Sequence, residues 1–146
     1  MSARPFHHRF PRARIDPIDG RARALELLLE SLADPPVDET VVLVLDDARC
    51  GVAVISVAGT NRPEHVIDVV EFLAHPTNVD AAALVVASSR PGGGIVDGDG
   101  DRWLEMCDLA ETAGLELVEW FVVGAAISCP RDLWAAQPRW PGARPG

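Results

Sequence analysis

Ala81-Ala82-Ala83-Leu84-Val85-Val86-Ala87-Ser88-Ser89-Arg90-Pro91-Gly92-Gly93-Gly94-Ile95-Val96-Asp97-Gly98-Asp99-Gly100-Asp101 is the stretch on which the fold turns. Its first seven residues form an unbroken apolar run, which marks a strand buried on both faces. Such strands belong to sheets covered by helices on either side. A loop of serine, arginine, proline and glycines follows, and then an acidic turn. Trp103, Met106, Cys107 and Ala110 next recur at helical spacing, with Gly114 placed to close that helix. A loop that leaves a buried strand and enters a helix is where α/β domains place their chemistry.

Outward from this stretch the pattern continues. Leu115 to Val123 reads as a second buried strand, and Ile127 to Leu133 as a short edge strand. Upstream, Val41–Leu45 and Val52–Val57 are β-branched runs joined by a turn at Asp46-Asp47-Ala48-Arg49-Cys50-Gly51, which predicts an antiparallel hairpin. Pro63 can open a helix whose apolar stripe is Val66, Val69, Val70 and Leu73, ending at His75-Pro76. Asp19-Gly20 offers an earlier helix start, with Leu25, Leu28, Leu29 and Leu32 on one face and Asp34-Pro35-Pro36 as its stop. The expected architecture is a three-layer α/β domain, a mixed β-sheet flanked by helices. It spans residues 21–134, between a flexible arginine-rich leader (1–20) and a loose Pro/Gly-rich tail (135–146).

Composition narrows the function. A chain of 146 residues with 48% apolar content supports one domain with a real core. No apolar run is long enough to span a membrane, and the first twenty residues lack a secretory signal pattern, so a cytoplasmic protein is expected. The net charge of −9 disfavours general nucleic-acid binding. The exception is the leader, where Arg4, Arg9, Arg12 and Arg14 gather beside His7 and His8 and lead on to Arg21 and Arg23. Such an arm either lies on the acidic body or weakly touches nucleic acid or an acidic partner. Cys50, Cys107 and Cys129 form no C-x-x-C pair and read as free thiols.

Three readings of residues 88–101 compete. A phosphate cradle would use the glycines, but no Lys-Ser/Thr pair follows and three aspartates would repel the anion. A calcium loop would use Asp97, Asp99 and Asp101, with Asp108 twelfth in the count from Asp97. The sixth position is Arg102 where a sharp turn wants glycine, and acids before a helix commonly serve its N-terminus.

The third reading rests on element order. Val57-Ala58-Gly59-Thr60, the helix from Pro63, the strand Ala83–Ala87 and Trp120-Phe121-Val122-Val123-Gly124 follow one another along the chain. In that order, from about residue 39 to 133, the sequence resembles the RadC-like branch of the JAB/MPN superfamily, whose active members are zinc hydrolases. The resemblance implies a JAB/MPN-like (cytidine-deaminase-like) architecture. It places Pro91 on the family's loop proline and Asp101 on its motif aspartate. It also places Ser88 and Arg90 on the two zinc histidines, Gly98 on the motif serine, and Ile55-Ser56 near the catalytic glutamate. A zinc hydrolase needs three protein ligands and a base for the bound water. One carboxylate cannot replace them.

The expectation is therefore a degenerate, non-catalytic member that acts by binding, with a protein partner or as a homodimer and without a cofactor. Arg90, Asp97, Asp99 and Asp101 are its candidate contact residues. Arg90 would either meet a ligand's carboxylate or phosphate, or pair at the surface with Asp97 or Asp99. The alternatives are a hydrolase using residues outside the family motif (Asp99, Asp101, Ser88 and Cys129 as possible participants) or a different metal, and a calcium-stabilised domain using residues 97–108. Asp46-Asp47 reads as turn chemistry, and Ser128-Cys129-Pro130 as a partly buried thiol. Trp134 and Trp140 flank the tail, where they either fold back on the core or offer a contact surface.

Overall fold

The computed structural model describes residues 16–18, 20–60, 62–74 and 81–134. In chain order the elements are helix α1 (Arg21–Ser31), strands β1 (Glu39–Leu45) and β2 (Gly51–Ala58), helix α2 (Pro63–Leu73), strand β3 (Ala83–Ser89), helix α3 (Asp99–Thr112), and strands β4 (Glu116–Val123) and β5 (Ile127–Ser128), closed by a 3-10 turn (Pro130–Trp134). The strands form one sheet in the order β2-β1-β3-β4-β5. β1 runs antiparallel to β2 and to β3, β3 runs parallel to β4, and β5 returns antiparallel to β4. This is a mixed α/β fold with a sheet between helices, and the hairpin lies where the two β-branched runs predict it.

Strand alternation sorts the core into two clusters. Val42, Val44, Leu84, Val86, Trp120 and Val122 point to one face, where α2 adds Val66, Val69, Val70 and Leu73 and α3 adds Trp103, Met106, Cys107 and Ala110. Val41, Leu43, Val85, Ala87 and Phe121 point to the other face, against Ala24 and Leu28 of α1. β1 and β3 are buried along their whole length, as strands covered on both faces must be. Each fully buried aliphatic side chain contributes roughly 1.5–3 kcal/mol of transfer free energy.

Three local readings need correction. The α1 stripe is centred on Ala24 and Leu28, while Leu29 is 39% exposed. The small Ala24 lets the helix axis approach the sheet, which turns Leu29 outward. The strand expected over Ile127–Leu133 ends after Ser128, because Pro130 has no N–H for a ladder and opens the 3-10 turn instead. The end of the expected leader is packed: Pro17 bridges Cys50, and Ile18 is only 2% exposed. The leader up to residue 15, Asp19, His75-Pro76 and the tail with Trp140 lie outside the described residues, as does the side chain of Trp134. No helix among the described residues is long and apolar enough to cross a membrane.

Candidate functional site

The carboxyl ends of the parallel pair β3 and β4 carry the polar groups singled out by the sequence. The Arg90 N–H donates to Val123 O at 2.8 Å, which ties the start of the loop to the end of β4. Gly93 N–H then donates to Arg90 O at 2.8 Å, closing a turn with Pro91 at its second position and Gly92 at φ 73° in its third. That is the residue pair a type II turn requires. A Cβ on Gly124 would overlap the carbonyl of Gly93, so only glycine lets β4 pass beneath this turn.

Arg90 is carried inward. Its side chain is 5% exposed and that of Asp99 is 0% exposed. Nη1 donates to Asp99 Oδ2 at 2.7 Å and Nη2 to Asp99 Oδ1 at 3.0 Å, a bidentate fork, and Nη1 also donates to Gly94 O at 3.1 Å. The guanidinium carbon lies 5.6 Å from the ring centroid of Trp120. Asp99 Oδ2 further accepts from Val96 N–H at 2.7 Å, and Asp99 is the first residue of α3, where the helix dipole favours an anion. The surface pairing expected for Arg90 is thus corrected: the partner is Asp99, and the pair is buried. Arg90 does not point at solvent to receive a ligand.

The same geometry separates the other acids. Asp97, Asp101 and Asp108 are exposed. Gly98, on the expected serine position, is the N-cap of α3 at φ 93°, a left-handed backbone that serine adopts only under strain. The carboxylate inside the loop is therefore Asp99, two residues before the one that motif spacing selects. Among the described residues no three His, Cys, Asp or Glu side chains gather to hold a metal.

Ser88 belongs to a buried chain of hydroxyls that the sequence did not reveal. Trp120 Nε1 donates to Ser88 Oγ at 2.9 Å. Ser88 Oγ and Thr40 Oγ1 lie 2.9 Å apart, Thr40 Oγ1 and Thr60 Oγ1 2.7 Å apart, and Thr60 donates to Val57 O at 3.4 Å. Thr60 gives its single proton to Val57 O, so it accepts from Thr40, which in turn accepts from Ser88, and the protons run from β4 toward the β2–α2 corner. Trp120 joins the two positions, since its N–H meets Ser88 and its ring meets Arg90. One clue was present in the sequence: an indole in a buried strand needs an acceptor for its N–H.

A second polar cluster lies on the α1 face. Glu119, 2% exposed, meets Arg131 Nη2 at 2.8 Å and Arg21 Nε at 3.5 Å. Arg21 Nη2 donates to Cys129 Sγ at 2.7 Å and its guanidinium lies over Phe121. Burial, and then the charge of Glu119, push the Cys129 thiol up to about 11, so it is protonated and a poor nucleophile. Burial also raises Glu119, against the opposing pull of Arg131 and Arg21. Cys129 packs in the cluster with Val85 and Phe121, whereas Ser88 bonds Trp120 of the opposite cluster. Ser88, Asp101 and Cys129 do not converge on one pocket, and the hydrolase alternative needs that convergence. Glu39, another buried acid, accepts from Ala33 N–H at 2.6 Å and from Ser56 Oγ at 3.2 Å, so a carboxylate does stand beside the Ile55-Ser56 position, supplied by β1.

Beside the turn an open groove of about 620 Å³ runs between the end of α1 and the strand ends, lined by Leu32, Asp34, Ser89, Pro91, Gly92 and Gly124 among others. No protein-family model matches the chain, and no curated protein matches it.

Proposed function

We propose that the chain is a non-catalytic, RadC-like JAB/MPN-type domain that acts by binding a protein partner or a second copy, through the groove beside the β3–α3 turn. The observation that carries this reading is the buried Arg90–Asp99 fork. On the resemblance, Ser88 and Arg90 stand on the zinc-histidine positions. Here the first is an acceptor for Trp120, and the second is a cation neutralised by the one buried carboxylate of the loop. A hydroxyl and a guanidinium offer zinc no usable lone-pair set, and a fixed cation repels the metal. What the arrangement does provide is rigidity. The loop is held to β4, α3 and Trp120, so the groove wall formed by Pro91 and Gly92 is preformed, which lowers the ordering cost of binding.

The calcium alternative would need Asp99 to leave Arg90 and turn out toward Asp97 and Asp101. The test is elemental analysis of untagged protein before and after incubation with zinc and with calcium, alongside melting curves. The expected result is substoichiometric metal and an unchanged melting temperature. Near-stoichiometric zinc would sink the non-catalytic reading, and a melting temperature that climbs with calcium would favour the acidic-loop alternative.

A further inference from the structure

Strand β2 has eight residues and neither a charge nor a proline among them. Among the described residues it pairs only with β1, and Val54 is 53% exposed. Edge strands of this length normally carry a lysine, a proline or an inward charge to discourage further pairing. The chain itself points to what covers this edge. Pro17 bridges Cys50 in the antiparallel sense, and Ile18 N–H donates to Arg49 O at 2.8 Å. The hairpin side of that corner is taken by Asp46 N–H donating to Cys50 O, so residues 16–18 lie on the outward side, at the Gly51 end of β2. Fifteen residues precede Asp16 in the sequence, and the antiparallel bridge orients the step from Ile18 back to Asp16 toward the Ala58 end of β2.

We propose that the outer edge of β2 is a strand-addition surface whose occupant is this chain's own segment 9–15. The amide parity fits. With the Ile18 N–H turned toward the hairpin, the N–H groups of even-numbered residues in an extended segment turn inward, and those of odd-numbered residues face solvent. Pro11 and Pro17 are both odd, the places where an edge strand tolerates proline. Charge fits as well: residues 1–15 hold four arginines and no acid, and the remainder holds nine arginines against twenty-two acids.

The test is amide hydrogen exchange on the full-length protein carrying Arg12→Pro or Ala13→Pro. Arg12→Pro removes an inward N–H and is expected to speed exchange of the β2 amides that face away from β1 by roughly tenfold or more, while Ala13→Pro leaves them protected. The β3 and β4 amides serve as the internal check that both variants are folded. Equal effects of the two prolines, or fast exchange of those β2 amides in the parent protein, would overturn the proposal. Protection that rises with protein concentration would overturn it too, by making a second copy the occupant.

Discussion

Arg90 and Asp99 are worth more as a pair than either is alone. Removing one partner of a buried ion pair strands the other charge, at a cost of about 3–5 kcal/mol. Arg90→Ala is expected to lose that much in chemical denaturation. The double variant Arg90→Met with Asp99→Asn, whose amide oxygen still accepts from Val96 N–H, is expected to be more stable than Arg90→Ala. A double variant less stable than Arg90→Ala would show that the fork is not what holds the loop. Cys129 gives a second residue-level test. Its folded thiol ionises near 11 rather than 9.0, so the unfolded chain releases its proton first as pH rises. Stability is then whole below pH 9 and falls between about 9 and 11, by on the order of 2 kcal/mol. Burial pushes the Cys50 thiol up as well, so Cys129→Ala should remove only part of that fall in denaturation curves taken across the range. The sequence brought Arg90 and Asp99 into one candidate set but ranked Asp101 above Asp99. Motif spacing counts residues, whereas the inward acid is chosen by the left-handed backbone at Gly98 and by where α3 begins. Thr40, Thr60 and Trp120 stayed hidden because their shared bonds cross strands far apart in the sequence.

At the scale of elements, the β3–α3 turn and the end of β4 interlock through a backbone contact that glycine alone permits. Gly124→Ala drives a methyl into the carbonyl of Gly93 and is expected to cost about 1–3 kcal/mol and to shift the amide resonances of residues 90–93. Gly94→Ala is the matched control, with open space at its Cβ and no left-handed backbone, and it is expected to be nearly neutral. Equal losses from both substitutions would remove the interlock from the account. Strands and helices with a strong period were legible at this scale: the apolar run of β3, the stripes of α2 and α3, and the β1–β2 hairpin. α1 was legible as a helix with Leu25, Leu28 and Leu32 toward the core, and its face was misplaced only at Leu29, because the inner position it was given belongs to Ala24, which a leucine count does not weigh. β5 was overextended because the apolar residues beyond Pro130 belong to a turn rather than a ladder.

The molecule as a whole is two locally built halves. β1 and β2 pair through a short turn, β3 and β4 through the crossover helix α3, and β5 returns directly onto β4. Within the sheet a single ladder, β1 against β3, joins them, and it pairs residues from 38 (Leu45 with Ala83) to 50 (Glu39 with Ser89) positions apart. The Thr40–Ser88 contact bridges that ladder from within the core. A protein assembled this way lends itself to being supplied in two pieces. Polypeptides 1–76 and 77–146, produced separately and mixed, are expected to recombine into one folded species, because each carries its own strand pairs and regains from the other both the β1–β3 edge and the packing of α2 on α3 and of α1 on the sheet. A Thr40→Val fragment should recombine more weakly, since it leaves Ser88 without its acceptor across the join. That would make the β1–β3 seam a place to split the chain into conditional reporters, with reassembly as the signal.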